Sequence, residues 1–120
     1  MNRSDLERLR DARDFARFAR DNAGGLPADI LADARQPQHA ALYDLVIVGE
    51  TLGKVSAEVK SAAPDIEWRK ISNLRNLLVH GYWQVDLEII AGVIENRIDP
   101  LVIELEKLIA ILERNDTCPS

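Results

Sequence analysis

Cysteine is almost missing from this 120-residue chain; Cys118 is the only one. It has no partner for an internal disulfide, which fits a reducing compartment such as the cytoplasm. Histidine is scarce too, with only His39 and His80, and no Cys/His set has the spacing of metal ligands. Glycine-rich phosphate loops and nucleophile elbows are absent, so neither a metal nor a cofactor is expected. No uninterrupted apolar run is long enough to span a bilayer. The opening residues, MNRSDLERLR, are charged and lack the apolar core of a secretory signal, so the expectation is a cytoplasmic protein with no membrane contact. Strand-like alternation, internal repeats and low-complexity segments are likewise missing.

Positive charge is in deficit as well. The net charge is −5, which argues against a broad surface that coats nucleic acid. Its distribution is uneven. Residues 1–20 carry six arginines against four acids, whereas residues 86–116 carry eight acids against three bases. Between them, residues 65–82 hold Arg69, Lys70 and Arg75 against Asp65 and Glu67. A local anion site remains compatible with this pattern.

What the chain does contain is helical periodicity, with 47% hydrophobic residues to build one core. Ser4 and Glu7 form a capping box for a first helix over 4–21, whose buried face is Leu6, Leu9, Ala12, Ala16 and Ala19. Arg10, Arg13, Arg17 and Arg20 form a second stripe on it. That stripe reads either as an RNA-backbone surface or as a solvated face paired with Glu7, Asp11 and Asp14; the interleaved acids favour the second. After the break NAGGLP and a short turn over 28–34, a second long helix is predicted from about Pro37 to Lys60, on the stripe Leu45, Val48, Leu52, Val55 and Val59. Gly49 and Gly53 sit inside it, a spacing that reads either as close helix approach or as two glycines the helix tolerates. Glu50 reads as a polar residue beside a cleft or as an exposed carboxylate. Pro64 separates a third helix over 66–80. Asp86 caps a fourth, with Val85 and Ile90 as a hydrophobic staple, and Asp99-Pro100 marks a kink or a restart. The expected architecture is an all-α, up-and-down bundle of four main helices, with one domain over 1–114 and a flexible tail over 115–120.

The third helix carries the residues that a core does not need. Trp68, Ile71, Leu74 and Leu78 make its apolar stripe, yet Arg75, Asn76 and His80 gather at its last turn, followed by Gly81 and Tyr82. At about 100° per residue, Asn76 and His80 share a face and the amide can orient the imidazole. Arg75 and His80 stand roughly 140° apart by the same arithmetic. Either Gly81 frees His80 from the helix, or the complete site needs a second copy of the chain.

Arginine and histidine suit RNA cleavage without a metal. A base must take the 2′-hydroxyl proton, an acid must protonate the leaving oxygen, and positive charge must meet the crowded phosphorus centre. Histidine serves either proton transfer, and arginine offers a fixed fork to phosphoryl oxygens. One histidine cannot be base and acid in the same step. A two-fold dimer brings two of each to one cleft, so the chemistry predicts a homodimer. The spacing alone is unspecific, and taken by itself it favours a capped helix end whose histidine interacts with the helix dipole.

The string RNLLVHGY at 75–82 resembles the R-N-x-x-x-H-x-Y signature of HEPN-domain ribonucleases, and more narrowly the HepT-like family. PDIEW at 64–68, YWQVD at 82–86 and IVGE at 47–50 extend the likeness over about 100 residues. The resemblance implies a helical bundle that dimerises around the signature helices. It implies a metal-independent endoribonuclease, the toxin of a HepT/MntA-type toxin–antitoxin pair. Arg75 and His80 match the catalytic pair, Asn76 its polar companion, and Tyr82 the tyrosine that the partner modifies; Glu50, in the matching second-helix motif, is expected to support the site. That partner is a minimal nucleotidyltransferase antitoxin that transfers AMP to the tyrosine, bringing negative charge to an RNA cleft. Two other readings stand beside it. One is a non-catalytic domain that binds a nucleotidyltransferase. The other is a structural bundle in which Arg75 and His80 serve caps and salt bridges and Tyr82 is an aromatic anchor.

Overall fold

The computed structural model describes residues 4–81 and 86–117. Among them the regular elements are all helices: α1 (Asp5–Ala23), α2 (Ala28–Leu31), α3 (Arg35–Gly53), α4 (Ala57–Ala62), α5 (Trp68–His80) and α6 (Leu87–Thr117). The all-α expectation is met, with α1, α3, α5 and α6 as the four main helices.

Local chemistry sets most boundaries. Ser4 Oγ accepts from the Glu7 N–H at 3.1 Å while Glu7 Oε1 accepts from the Ser4 N–H, so the capping box forms as read. Gly24 ends α1 at φ 65°, a left-handed conformation that costs glycine nothing. The second helix differs from expectation. It starts at Arg35, before Pro37, because a proline in the first turn lacks only an N–H that has no helical partner there. It stops at Gly53 rather than running to Lys60. Ser56 then opens a separate helix, its Oγ accepting from the Val59 N–H at 3.3 Å, and its own N–H donates to Asp5 Oδ1 at 3.0 Å. A helix-capping serine thus overrides a continuous apolar stripe. At Asp99-Pro100 the chain does not restart, since α6 continues through Pro100 to Thr117, into the stretch read as tail. Asp86 Oδ1 accepts from the N–H groups of Glu88 and Ile89 at 3.0 and 3.4 Å, as a cap should. Val85, the other half of the predicted staple, lies outside the described residues.

The helices pack in the order α6, α1, α3, α5. Leu9, Ala12, Ala16 and Ala19 give α1 a small-residue face that both neighbours approach closely. Leu45, Val48 and Leu52 of α3 and Ile90, Ile94, Ile98, Leu105 and Leu108 of α6 complete the core. A fully buried leucine such as Leu9 or Leu105 contributes about 1.5–3 kcal/mol of transfer free energy. Helix α6, 31 residues and about 46 Å long at 1.5 Å per residue, sets the 53 Å long axis of the molecule.

The arginine stripe of α1 is paired, but chiefly with α6 rather than within α1. Arg10 meets Glu113 at 2.9 Å, Arg20 meets Asp99 at 2.8 Å, and Arg17 meets Glu106. Within α1, Arg13 takes a predicted partner, Asp14, at 3.1 Å. The strongly acidic end of the chain is therefore the counter-charge of its basic beginning.

Candidate functional site

Helix α5 is the outermost of the four main helices and packs chiefly on α3. Its N-terminal end is pinned by Trp68, whose indole N–H donates to the Ala63 carbonyl at 2.9 Å and whose ring lies 5.8 Å from Lys60 Nζ. Leu78 is its only fully buried residue, near the other end. The rest of its surface is half-buried or exposed.

Gly49 decides how close α5 comes. A Cβ at Gly49 would overlap the Cβ of Arg75 and stand 2.8 Å from its Cγ and 3.5 Å from its Cα. The stem of Arg75 therefore crosses α3 where α3 has no side chain. Gly53, the other glycine at that spacing, meets nothing within 4 Å and plays no such part. With its stem seated, the guanidinium reaches Glu50, one residue on, through Nη2, and its Nη1 donates to Asn76 Oδ1 at 2.9 Å. Arg75 lowers the pKa of Glu50, by hydrogen bond first and charge second, with a smaller contribution from the charge of Lys54; partial desolvation opposes them.

His80 is the last residue of α5 and is exposed. Helical geometry holds through it, so Gly81 does not release it, and the roughly 140° between Arg75 and His80 stands. Asn76 is also exposed, but among the described residues its bond is to Arg75 rather than to His80. The structure thus brings Glu50, Arg75 and Asn76 together and leaves His80 beside them on the outward face. Tyr82 lies outside the described residues. His39 is exposed on α3, away from these residues in sequence.

The outward face of α5 holds two residues that were not singled out from the sequence. Arg69, Asn73, Asn76 and His80 follow at spacings of four, three and four, and all four are exposed. The signal was legible as a polar stripe opposite the apolar one. On the opposite side of α5, a cavity of about 640 Å³ opens between α3, α5 and α6. Leu45, Val48, Ile66, Ile71 and Leu74 are among its walls, and Lys70 and Arg97 are at its rim. It does not include Arg75, Asn76 or His80 and offers mainly apolar surface to phosphoryl chemistry. Among the described residues no group of three or more His, Cys, Asp or Glu is placed to hold a metal ion, and no helix is long and apolar enough to cross a membrane.

Known proteins share this framework in sequence. A "Probable ribonuclease HepT" of Thermococcus cleftensis is 31% identical over 80 residues, covering 67% of this chain and 72% of the relative. A Methanocaldococcus jannaschii protein named "Putative RNase MJ0127" is 24% identical over 111 residues, which is 92% of this chain and 86% of its own length. No solved structure matches the chain. A family model described as "Ribonuclease HepT-like" matches residues 5–108, from the first turn of α1 to the third quarter of α6 and across the whole Gly49–Arg75–His80 arrangement. That span takes in α1 to α5 complete, and on it the protein belongs to the ribonuclease HepT-like family.

Proposed function

We propose that the protein is a metal-independent endoribonuclease whose catalytic residues are Arg75 and His80, working at a cleft between two copies of the chain. The observation that carries this reading is the seat of Arg75. A glycine clears the way for its stem, Glu50 and Asn76 orient its fork, and an exposed imidazole stands five residues further along the same helix. A core-stabilising arginine needs no such arrangement at the surface.

In the proposed reaction, one His80 takes the proton from a 2′-hydroxyl and O2′ attacks the adjacent phosphorus. The bond from phosphorus to the 5′-oxygen breaks, and the second copy's His80 returns a proton to that oxygen. The products are a 2′,3′-cyclic phosphate and a 5′-hydroxyl. Arg75 meets the charge on the non-bridging oxygens as it rises. Within one protomer Arg75 and His80 diverge, so a two-fold arrangement is the simplest way to surround one phosphate with both.

The proposed biological setting is a HepT/MntA-type toxin–antitoxin pair in the cytoplasm. A minimal nucleotidyltransferase neutralises the toxin by adding AMP to Tyr82, two residues beyond His80. The added phosphates place negative charge where the RNA backbone must pass. Purified protein should degrade RNA in EDTA, and His80→Ala and Arg75→Ala should each abolish this with the fold intact. Expression of the chain alone should arrest growth, and His80→Ala should not. Equal arrest by both would rule out His80 chemistry as the cause.

A second reading draws on one observation: two donors of Arg75 are already satisfied within the protomer. On that reading the domain binds a nucleotidyltransferase without cutting RNA. It is favoured if RNA survives the purified chain while the complex with the partner forms.

A further inference from the structure

The exposed line Arg69–Asn73–Asn76–His80 is narrow. At 100° per residue the four positions fall within about 60° of arc. Eleven residues at about 1.5 Å each put Arg69 about 16 Å from His80 along the axis. Two side-chain amides lie between them, each able to donate and accept.

Arg69 differs from most arginines of this chain. Arg10, Arg17 and Arg20 are held by acids of α6, Arg75 by Glu50 and Arg97 by Glu67. Among the described residues Arg69 has no hydrogen-bond or ion-pair partner. The acids nearest to it in sequence are turned away. Asp65 and Glu67 line the cavity on the α6 side, and Glu67 is taken by Lys70 at 3.0 Å and Arg97 at 3.1 Å. An exposed guanidinium with its charge uncompensated is suited to an external phosphate, which it can grip with two parallel donors.

We infer that this strip is the track along which a single strand of RNA reaches His80, with Arg69 holding a backbone phosphate a few nucleotides from the cut. The inference rests on the ribonuclease reading of His80. A line one side chain wide follows one backbone, whereas the two strands of a duplex would need a second row of contacts. Asn73 and Asn76 supply neutral donors and acceptors between the two ends, as suits positioning contacts to sugar and phosphate. One cation set at a distance from His80 adds one phosphate contact at a fixed place, which positions the strand without requiring a broad basic surface.

The test is steady-state cleavage by the full chain of a dinucleotide and of a single strand of about ten nucleotides, comparing wild type, Arg69→Ala and Arg69→Lys. On the longer strand Arg69→Ala should raise KM about tenfold with kcat within about twofold, and Arg69→Lys should recover most of the loss. The plot of log KM against log salt should become shallower by about 0.7, the share of one phosphate on a single strand. On the dinucleotide, which does not reach Arg69, the three proteins should be alike. Equal cleavage of both substrates by wild type and Arg69→Ala would overturn the track, and so would an equal loss on both lengths. Absence of cleavage by wild type would remove the ribonuclease reading along with it, so the two failures are distinguishable.

Discussion

At the scale of single residues, the position of Arg75 depends on an atom that is absent. Gly49→Ala places a methyl group against the Cβ and Cγ of Arg75, close to the α5 backbone, where no flexible end can swing aside. Helices α3 and α5 must separate, and overpacking of this kind costs about 1–3 kcal/mol. Urea unfolding should show that loss, with RNA cleavage falling further than stability. Gly53→Ala is the control. Nothing lies within 4 Å of its position, and alanine should gain up to about 1 kcal/mol over glycine there. Glu50→Ala should leave Tm nearly unchanged, since the pair lies at the surface, yet lower kcat about ten- to a hundredfold by releasing the guanidinium. The pH dependence has a definite sign. Arg75 holds the Glu50 carboxyl below its ordinary value of 4.5. The contribution of the pair is therefore fully present above that value and is lost as pH falls through the lowered one.

At the scale of elements, charge decides partners that periodicity cannot. On sequence spacing the interleaved acids favour a paired, solvated α1 stripe over an RNA surface, and the structure pairs it chiefly with Glu113, Glu106 and Asp99 of α6. Exposed pairs of this sort contribute about 0.2–1 kcal/mol each. Arg17→Ala and Arg20→Ala should cost no more than that in denaturant titrations and leave RNA cleavage within about twofold of wild type. A larger loss of cleavage would return the stripe to the RNA surface. Helix α3 carries a second, hidden charge. Asp44 is buried and accepts from Asn22 Nδ2 at 2.6 Å. Desolvation raises its pKa, and the Asn22 bond only partly offsets this. With the folded value above the unfolded one, the folded state binds the proton more readily. Stability therefore falls as pH rises through the window between the two values. Asp44→Asn keeps an acceptor for Asn22 and removes the buried charge. It should be at least as stable as wild type at pH 7, and the difference should vanish at acid pH, as measured by thermal unfolding at both.

At the scale of the molecule, the long form of the chain leaves α5 on the outside, joined mainly to α3 and exposed along one face. Such a helix can present a site without reorganising a core. A composite cleft has a quantitative signature. If both imidazoles act on one phosphate, a wild-type subunit paired with His80→Ala is inactive. Activity in mixed assemblies should then fall with the square of the wild-type fraction, to about a quarter at equal amounts, whereas independent protomers would give about a half. Light scattering on the same samples should give twice the 13.4 kDa chain mass.

The sequence by itself determined the four main helices, because hydrophobic spacing and capping are local. The stripe of α5, the Ser4–Glu7 box and the Asp86 cap are all legible in runs of a few residues. It also marked Arg75, Asn76 and His80 as more than a core requires. Where α3 ends was less legible, since Ser56 competes with an apolar stripe that spacing alone would continue. Only the tertiary structure separated Gly49 from Gly53, gave Arg75 to Glu50 and Asn76, paired α1 with α6, and left Arg69 without a partner. Most of those depend on contacts between different helices, up to 103 positions apart in sequence, and periodicity within a helix carries no information about which side chain another helix will bring against it.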